Sequence, residues 1–322
     1  MSIAYENALI HEFQQLDINK FTVDLSDNFI FTCGGEVNPL AIVSPSFRDR
    51  FLHYTAKKHP IIYSGVVLAE AFKDYFRDNF YTDLLVFESD IAQLSSVILV
   101  FLESPGSLVE LGMFCSKPQS YKKLVIVADR DKVEAQDSFI YLGPLEYIKR
   151  KHSNSVAIYP WPDPAISEYD DSRIEDLCHI LNDKIERLDK SQKLSQDNSG
   201  HISLLISEIV SICYPILLSD IELVFQALDV DISQNTISRY LYLLSILGLI
   251  AKEPYSSYQY YYPTNPDRKR INFSLTKTDK RVDVINLRMR LMQSFISAND
   301  PISAKRRNAQ KQILEKLGGA SK

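Results

Sequence analysis

The chain has 322 residues, of which 45% are hydrophobic and 24% are charged, and its formal net charge is −5. This is an ordinary globular balance in a chain longer than one typical domain, so we expect two domains. The N-terminal residues show no basic region followed by an apolar one, and no window of about 18 apolar residues occurs, which argues against export or a membrane span. We therefore expect a cytoplasmic protein with no membrane partner.

The cysteines and histidines argue against a metal site. Cys33, Cys115, Cys178 and Cys213 lie far apart, form no C-x-x-C pair and have no histidine at metal-ligand spacing. The six histidines form no H-x-x-x-H or H-E-x-x-H pattern. These spacings indicate a reducing compartment, and we expect neither a metal nor a cofactor.

The charge is unevenly distributed along the chain. Residues 201–322 hold 16 Lys and Arg against 11 Asp and Glu, whereas the first 200 residues hold 20 against 30. The C-terminal part is therefore near +5, with basic clusters at 268–270 and 305–307. Such a part can approach a polyanion while the acidic part stays away from it.

Short apolar runs bounded by polar or turn residues predict strands buried on both faces. These runs are 29–33 (FIFTC), 97–102 (VILVFL), 123–128 (KLVIVA) and 156–159 (VAIY). Helical patterns lie between them, notably over 65–79 and from Ser107 onward. Strands alternating with helices predict an α/β fold, with a parallel sheet flanked by helices.

The sequence pattern predicts that the second half of the chain is mainly helical. A helical pattern reaches about Leu188, and a polar stretch of low hydrophobicity follows it. We expect a domain boundary there. The predicted divisions are an α/β domain with a terminal linker helix at 1–188, a linker at 189–200, a winged helix-turn-helix domain at 201–278 and a basic helical tail at 279–322.

The winged-helix prediction rests on three helical segments, at 204–215, 219–228 and 233–250, followed by two strand-like runs at 252–263 and 268–275 around a Pro/Asn/Asp turn. Polar residues near the start of the third segment and cations of the wing are typical of contacts to phosphates, base edges and unstacked bases. The candidates are Ser233, Gln234, Thr236, Arg239, Lys252, Arg268, Lys269 and Arg270. The alternative is a domain that binds only proteins.

The segment 97–112 has the sequence pattern of a strand, followed by a loop and the start of a helix. Ligands bind at the carboxyl ends of parallel strands, where the next helix offers free N–H groups and a positive dipole end. We expect that dipole to keep Glu110 ionised in the first helical turn. An ionised glutamate can attack, or electrostatically shield, an anomeric carbon as it becomes oxocarbenium-like.

Glu110 has a competing structural interpretation, because Ser107-x-x-Glu110 is also the spacing of a helix capping box. A second glycine loop favours the functional interpretation, since it ends another predicted strand and can face the same crevice. Asp90 or Asp83 can enter that crevice as an acid, and Arg48 or Tyr63 can reach a phosphate or sugar; each also suits an ordinary surface or core position. The expected substrate-binding residues are Cys33, Gly34, Gly35, Asp90, Ser104, Pro105, Gly106 and Ser107.

These residues resemble the nucleoside 2-deoxyribosyltransferases over about the first 160 positions. Gly106 to Gly112 (GSLVELG) fits that family's G-[ST]-x-x-E-x-G pattern, and the strand and small-residue loop at 29–35 fits the opening of its fold. The resemblance implies a flavodoxin-like sheet and a nucleophilic Glu110.

With the winged helix added, nearly the whole chain resembles the effector of a bacterial retron, an antiphage system of reverse transcriptase, non-coding RNA and multicopy single-stranded DNA. That resemblance implies the reverse transcriptase and the multicopy DNA with its RNA as partners, which restrain a toxic enzyme until infection. It leaves open whether the chain forms a homo-oligomer.

One position departs from the transferase pattern. Many members of that family carry an aspartate six residues before the nucleophile, where it helps to handle the base, and this chain has Ser104 there. A neutral base needs an acid in order to leave, whereas a cationic nicotinamide leaves unaided. Among nucleotide-type substrates we therefore favour NAD, with deoxynucleosides or deoxynucleotides next. The alternative function is a winged-helix transcription regulator that senses a nucleotide without catalysis.

Overall fold

The computed structural model describes residues 4–70, 81, 83–135, 141–163 and 168–319. Its helices are α1 (Ala4–Phe13), α2 (Phe47–Lys58), α3 (Pro60–Gly65), α4 (Leu84–Leu94), α5 (Pro105–Cys115), α6 (Pro118–Tyr121), α7 (Arg130–Ala135), α8 (Glu146–Lys151), α9 (Asp171–Arg187), α10 (Ser199–Cys213), α11 (Leu218–Ala227), α12 (Gln234–Ile246), α13 (Val284–Ile296) and α14 (Pro301–Gly319). Its strands are β1 (Thr22–Asp24), β2 (Ile30–Cys33), β3 (Val66–Leu68), β4 (Val97–Phe101), β5 (Leu124–Asp129), β6 (Val156–Tyr159), β7 (Ser191–Lys193), β8 (Ile250–Tyr255), β9 (Tyr258–Pro263) and β10 (Ile271–Asn272).

The described residues form two compact units. The sheet unit contains residues 26–70, 88–135, 141–163 and 168–189. The helical unit contains residues 4–25, 81, 83–87 and 190–319. Residues 4–25, which we expected in the α/β domain, thus group with the C-terminal residues, and the expected linker includes strand β7.

The sheet unit is built on a five-stranded parallel sheet with the order β3-β2-β4-β5-β6. Counted within this sheet alone, the order is 2-1-3-4-5, which is that of flavodoxin-like folds. Strands β4 and β5 are buried along their whole length, because helices cover both faces of such a sheet. The predicted α/β fold with a helix-flanked parallel sheet is confirmed.

The edge strand β3 corrects one prediction. The pattern over 65–79 predicted a helix, yet Val66–Leu68 pairs in parallel with residues 30–32 of β2. The helix before it, α3, begins at Pro60 and ends at Gly65. Three consecutive β-branched or branched apolar residues favour a strand, but the run is too short to stand out from the helical patterns beside it. The remainder of the predicted helix lies largely outside the described residues.

The helical unit has α10 at its centre, with every residue from Gly200 to Cys213 buried. Helix α1 packs on α11 and α13, so the N-terminal residues are part of this core. Strand β1 lies between β10 and β7 in an antiparallel sheet. Residues 4–25 and 190–319 therefore form one core together.

A β-hairpin of β8 and β9 follows α11 and α12, in the order that the winged-helix prediction requires. Its position corrects the expected wing, because both strands come from the first strand-like run and the turn passes through Ser256, whose φ is 56°. The second run contributes β10, which pairs with β1. The winged-helix assignment itself stays a prediction.

The basic tail is two helices, α13 and α14, separated near the expected interruption at 299–301. Arg306 of α14 is only 1% exposed and forms a buried ion pair with Asp220, with 2.9 Å between Nη2 and Oδ2. Arg307 donates to the carbonyl oxygens of Phe295 and Ala298, each at 2.7 Å. Contrary to our expectation for this cluster, these two guanidinium groups hold the fold together.

Candidate active site

The carboxyl ends of β2 and β4 lie side by side, because Cys33 is paired with Val100. The loop after β2 approaches β4 closely. A Cβ added to Gly34 would come within 2.8 Å of the Phe101 Cβ, so a larger residue would force the two strands apart. A Cβ on Gly35 would collide with the Glu103 carboxylate. The predicted convergence of the two loops is thus present, and crowding explains both glycines.

Helix α5 is capped by a reciprocal pair of serines. The Ser104 hydroxyl accepts the Ser107 N–H at 3.1 Å, and the Ser107 hydroxyl accepts the Ser104 N–H, also at 3.1 Å. Pro105 occupies the first turn, where a missing N–H costs nothing. The alternative capping box of Ser107 and Glu110 is therefore wrong, and the Glu110 carboxylate is not needed for the cap.

Glu110 lies in the second turn of α5, partly exposed. Its carboxylate accepts a hydrogen bond from the buried Cys33 thiol and is within the electrostatic reach of Arg48. Burial raises the pKa of Glu110, while the thiol and the guanidinium oppose that rise. We expected the helix dipole to keep the pKa of Glu110 low. Because α5 begins at Pro105, Glu110 lies beyond the first turn, where the dipole mainly acts.

Arg48 provides a fixed positive charge beside this site. Its side chain is 1% exposed, and its guanidinium donates to the Thr32 carbonyl oxygen at 3.3 Å and to both carboxylate oxygens of Glu70. The bidentate geometry fixes the plane of the guanidinium. Arg48 was considered for a contact to a phosphate or sugar or for an ordinary surface or core position, and its burial and its pairing with Glu70 match a core position.

Glu103 serves the backbone of the loops. Its carboxylate accepts the N–H groups of Gly35 at 3.1 Å, Phe47 at 2.6 Å and Arg48 at 3.2 Å. It thus ties the loop after β2 to the start of α2 and to the end of β4. A cavity of about 300 Å³ lies beside the Glu103 side chain. Its lining includes Gly35, Ser46, Glu103, Ser104, Pro105 and Trp161. Gly106 is exposed, whereas Cys33 and Ser107 are buried.

Glu88, on α4, is a second carboxylate near Glu110 that the sequence did not single out. It is 7% exposed, and burial, followed by the negative charge of Glu110, raises its pKa to about 7, against a smaller opposing effect of Lys117. The candidates we named as acids flank it. Asp83 caps the start of α4 by accepting the Leu85 N–H at 2.8 Å, and Asp90 is buried two residues beyond Glu88, a spacing that places it on another face.

The predicted nucleic-acid residues at the start of α12 lie near one another. Ser233 caps the helix by accepting the Thr236 N–H at 3.2 Å, and Gln234 is exposed. Arg239 is partly buried, with its guanidinium 5.4 Å from the ring centre of Tyr81 and 5.3 Å from that of Tyr240. The polar N-terminus of the helix is available to a ligand, whereas the arginine packs on aromatic rings.

The cations expected in the wing divide into two groups. Lys252 and Lys269 are exposed. Arg268 forms a bidentate ion pair with Asp24, at 3.1 and 3.2 Å, and Arg270 is 5% exposed. Arg270 is thus buried and Arg268 is paired with a residue of β1, and a local cluster of basic residues in the sequence reveals neither role.

Comparison with known protein families gives a match to the STM3845 retron effector protein family over residues 44–252, which is more than half of the chain. The chain belongs to this family. The match includes Arg48, Glu88, Glu110 and α12, and it begins within the loop between β2 and α2.

Two curated proteins of Escherichia coli are similar to this retron effector. The "Retron Ec86 putative ribosyltransferase/DNA-binding protein" is 30% identical over 174 residues, which are 52% of this chain and 53% of that protein. The "Retron Ec73 putative ribosyltransferase/DNA-binding protein" is 26% identical over 213 residues, or 60% of this chain and 64% of that protein. The chain thus spans between half and two thirds of the curated relatives it matches.

Two features are absent from the described part of the chain. Within it, no helix combines the length and apolar character needed to cross a membrane. The same residues contain no group of three or more His, Cys, Asp or Glu side chains placed to hold a metal ion.

Proposed function

We propose that this retron effector cleaves the N-glycosidic bond of a nucleotide-type substrate, with Glu110 as the group that reacts at the anomeric carbon. The observation that carries the proposal is the position of Glu110, outside the helix cap and beside Cys33 and Arg48 at the carboxyl edge of a parallel sheet. The names of the two E. coli relatives, which include ribosyltransferase, support the same class of reaction.

The proposed reaction needs Glu110 ionised. The Cys33 thiol and the Arg48 charge favour that form against the effect of burial. The carboxylate attacks the anomeric carbon, a carbon–oxygen bond forms, and the carbon–nitrogen bond breaks with its electron pair going to the departing base. Water or a second base then releases the sugar from Glu110.

The leaving group separates two candidate substrates. The Ser104 hydroxyl accepts the Ser107 N–H as the cap of α5 and donates its own proton to the Gly34 carbonyl oxygen at 3.2 Å, so it offers no acid to a base. NAD fits this arrangement first, because nicotinamide leaves as a neutral molecule without protonation. The elevated pKa of Glu88 favours a second candidate, a deoxynucleoside or deoxynucleotide whose neutral base takes its proton from Glu88.

The test compares wild type with Glu110→Gln and with Glu134→Gln, which changes an exposed glutamate of the same unit. Each protein is incubated with NAD and with deoxynucleotides, in the presence and absence of the reverse transcriptase and the multicopy DNA, and free bases are separated by chromatography. We expect base release by wild type and Glu134→Gln and its loss in Glu110→Gln. Equal release by all three proteins would overturn the role of Glu110, and release from deoxynucleotides alone would overturn the preference for NAD.

We also propose that the helical unit docks the effector onto the multicopy DNA with its RNA and onto the reverse transcriptase. The net charge near +5 of residues 201–322, the polar start of α12 and the exposed Lys252 and Lys269 support this assignment. Binding through phosphates weakens steeply as salt rises. A salt titration of complex formation should show that slope, and salt-insensitive binding would favour a purely protein-binding domain.

The alternative of a nucleotide-sensing transcription regulator makes a different prediction for Glu110→Gln. If the protein is an enzyme, this variant loses both turnover and toxicity in cells while its binding to DNA stays nearly unchanged. A sensor would keep its output, so toxicity retained by Glu110→Gln would favour the regulator.

A further inference from the structure

A cationic pocket of about 610 Å³ lies at the amino ends of β5 and β6. Because the strands are parallel, this is the sheet edge opposite the one that carries Glu110. Its basic lining residues come from three segments: Lys122 after α6, Lys151 and His152 at the end of α8, and Lys184 and Arg187 in the last turn of α9. The fold thus brings together cations that are up to about 60 positions apart in sequence.

The positive charges in this pocket act on one another. The pKa of His152 is lowered by burial first, and then by the charges of Lys184, Lys122 and Lys151. Burial and the neighbouring Arg187 lower the pKa of Lys184 to about 8. These groups are therefore close enough to repel one another in a partly desolvated place.

The lining contains four Lys and Arg side chains against two Asp side chains, so a net positive charge remains. The Lys184 ammonium donates to the neutral Ser155 hydroxyl at 2.7 Å. Asp183 forms an ion pair with Arg187 at 3.8 Å, and Asp189 also lines the pocket. Across the described ranges, no carboxylate forms an ion pair with Lys122, Lys151 or Lys184.

Helix geometry does not account for the convergence. The C-terminal ends of α8 and α9 each favour a nearby cation. Neither end requires the ammonium groups to share one cavity, where their repulsion lowers the stability of the fold. The pocket also lies in the acidic part of the sequence, since the first 200 residues have ten more acidic than basic side chains. A local positive excess there attracts an anionic ligand.

We propose that this pocket binds phosphate groups in the backbone of a nucleic acid strand. Lysines contact phosphate oxygens as point charges, and such contacts position a strand without reading its sequence. The lining residues include no Phe, Tyr or Trp on which a base could stack, which favours a backbone over a free nucleotide. The site is separate from Glu110 and depends on no step of the proposed catalysis.

The test uses lysine footprinting of the full-length protein, read by mass spectrometry, with and without a short single-stranded DNA. Lys149 of α8 is a matched control, because it is exposed, pairs with Glu146 and does not line the pocket. We expect the DNA to protect Lys122 and Lys151 but not Lys149. Equal labelling of all three lysines with and without DNA overturns the proposal. Protection by a nucleoside triphosphate but not by DNA also overturns it, and assigns the phosphates to a free nucleotide.

Affinity measurements with two matched triple variants give an independent result. Lys122→Gln/Lys151→Gln/Lys184→Gln removes the pocket charges, and Lys132→Gln/Lys149→Gln/Arg150→Gln removes as many from positions outside the lining. Losing three contacts to a single strand should reduce the slope of log affinity against log salt by about 2, and weaken binding at least about tenfold at ~0.1 M salt. Equal effects of the two triples overturn the proposal, because net charge alone would then explain the change.

The pocket variant should fold, since it relieves repulsion, and thermal unfolding checks this point. If Lys184→Gln disturbs its bond to Ser155, the double variant Lys122→Gln/Lys151→Gln changes exposed side chains only and carries the same test. We expect it to reduce the salt slope by more than Lys132→Gln/Lys149→Gln does. The opposite order overturns the proposal.

Discussion

Ser104 and Ser107 satisfy each other's backbone N–H groups at the start of α5. The Ser104 hydroxyl also donates to the Gly34 carbonyl oxygen, so one side chain links the cap of α5 to the loop after β2. This double use, as acceptor and donor, explains why a serine suits this position. It also leaves the Glu110 carboxylate free for another role.

Replacing Ser104 tests this cap. Ser104→Ala loses the acceptor for the Ser107 N–H, and removal of such a cap typically costs about 1 kcal/mol in the free energy of unfolding. Ser104→Asp keeps a good capping acceptor and should cost less. Chemical denaturation of the two variants measures the difference. An alanine variant as stable as wild type would show that the cap contributes nothing to stability.

Buried charge gives a second prediction in the helical unit. Arg306 and Asp220 are each 1% exposed, and Asp220 also accepts the Leu217 N–H at 2.8 Å. Arg306→Leu leaves the aspartate buried without its cation, which should cost about 3–5 kcal/mol in the free energy of unfolding. Adding Asp220→Asn removes the unpaired charge and should restore part of that loss.

Lys311→Leu is the control for this comparison, because Lys311 is exposed on the same helix. It should change stability by less than about 0.5 kcal/mol, as surface substitutions usually do. If Arg306→Leu had an effect as small as that of the control, the ion pair would not be part of the core. Denaturant unfolding of the four proteins decides the point.

How far the sequence predicts this molecule depends on the range of the interactions involved. Strands β2, β4 and β5 were predicted nearly to the residue, because strands buried on both faces produce continuous apolar runs. The strands of the expected wing were misplaced, since the tight turn between β8 and β9 contains Ser256 rather than Gly or Asn, and since β10 pairs with a strand about 250 positions away. Local patterns contain no information about such a partner.

The candidate site shows the same limit. Glu110 was found because a loop motif surrounds it, whereas Glu88 has no motif and reaches Glu110 only through the packing of α4. Arg270 and Arg306 read as surface cations in the sequence, yet both are buried. The acids beside Arg306 and Arg270, Asp220 and Glu208, lie about 85 and 60 positions away in the sequence.

Glu88 should make the stability of the fold depend on pH. Its pKa is raised from an ordinary 4.5 to about 7, so between these values the folded state binds more protons than the unfolded chain. The free energy of unfolding should therefore fall as pH rises from about 4.5 to about 7, and Glu88→Gln should remove this fall. Above pH 7 the free energy of unfolding of Glu88→Gln should exceed that of wild type by up to about 3 kcal/mol, because the size of the pKa shift sets this difference.

The same measurement in Glu110→Gln separates the causes of the shift. Burial is the largest cause and the charge of Glu110 the next, so removing that charge should lower the pKa of Glu88 without returning it to 4.5. Glu134→Gln should leave the pH dependence as it is, because that side chain is exposed. If Glu110→Gln left the pH dependence as unchanged as Glu134→Gln does, Glu88 and Glu110 would not interact.

The hydrogen bond between Cys33 and Glu110 gives the last prediction, which rests on the proposed reaction. The thiol lowers the pKa of Glu110, so Cys33→Ala should raise that pKa further. Because Glu110 must be ionised to attack, the acid limb of kcat/KM should then move to higher pH. Cys33→Ser keeps a donor at the same place and should leave the limb near its wild-type position. A purely structural role for Cys33 would lower activity equally at every pH, because packing in this core does not depend on the ionisation of Glu110.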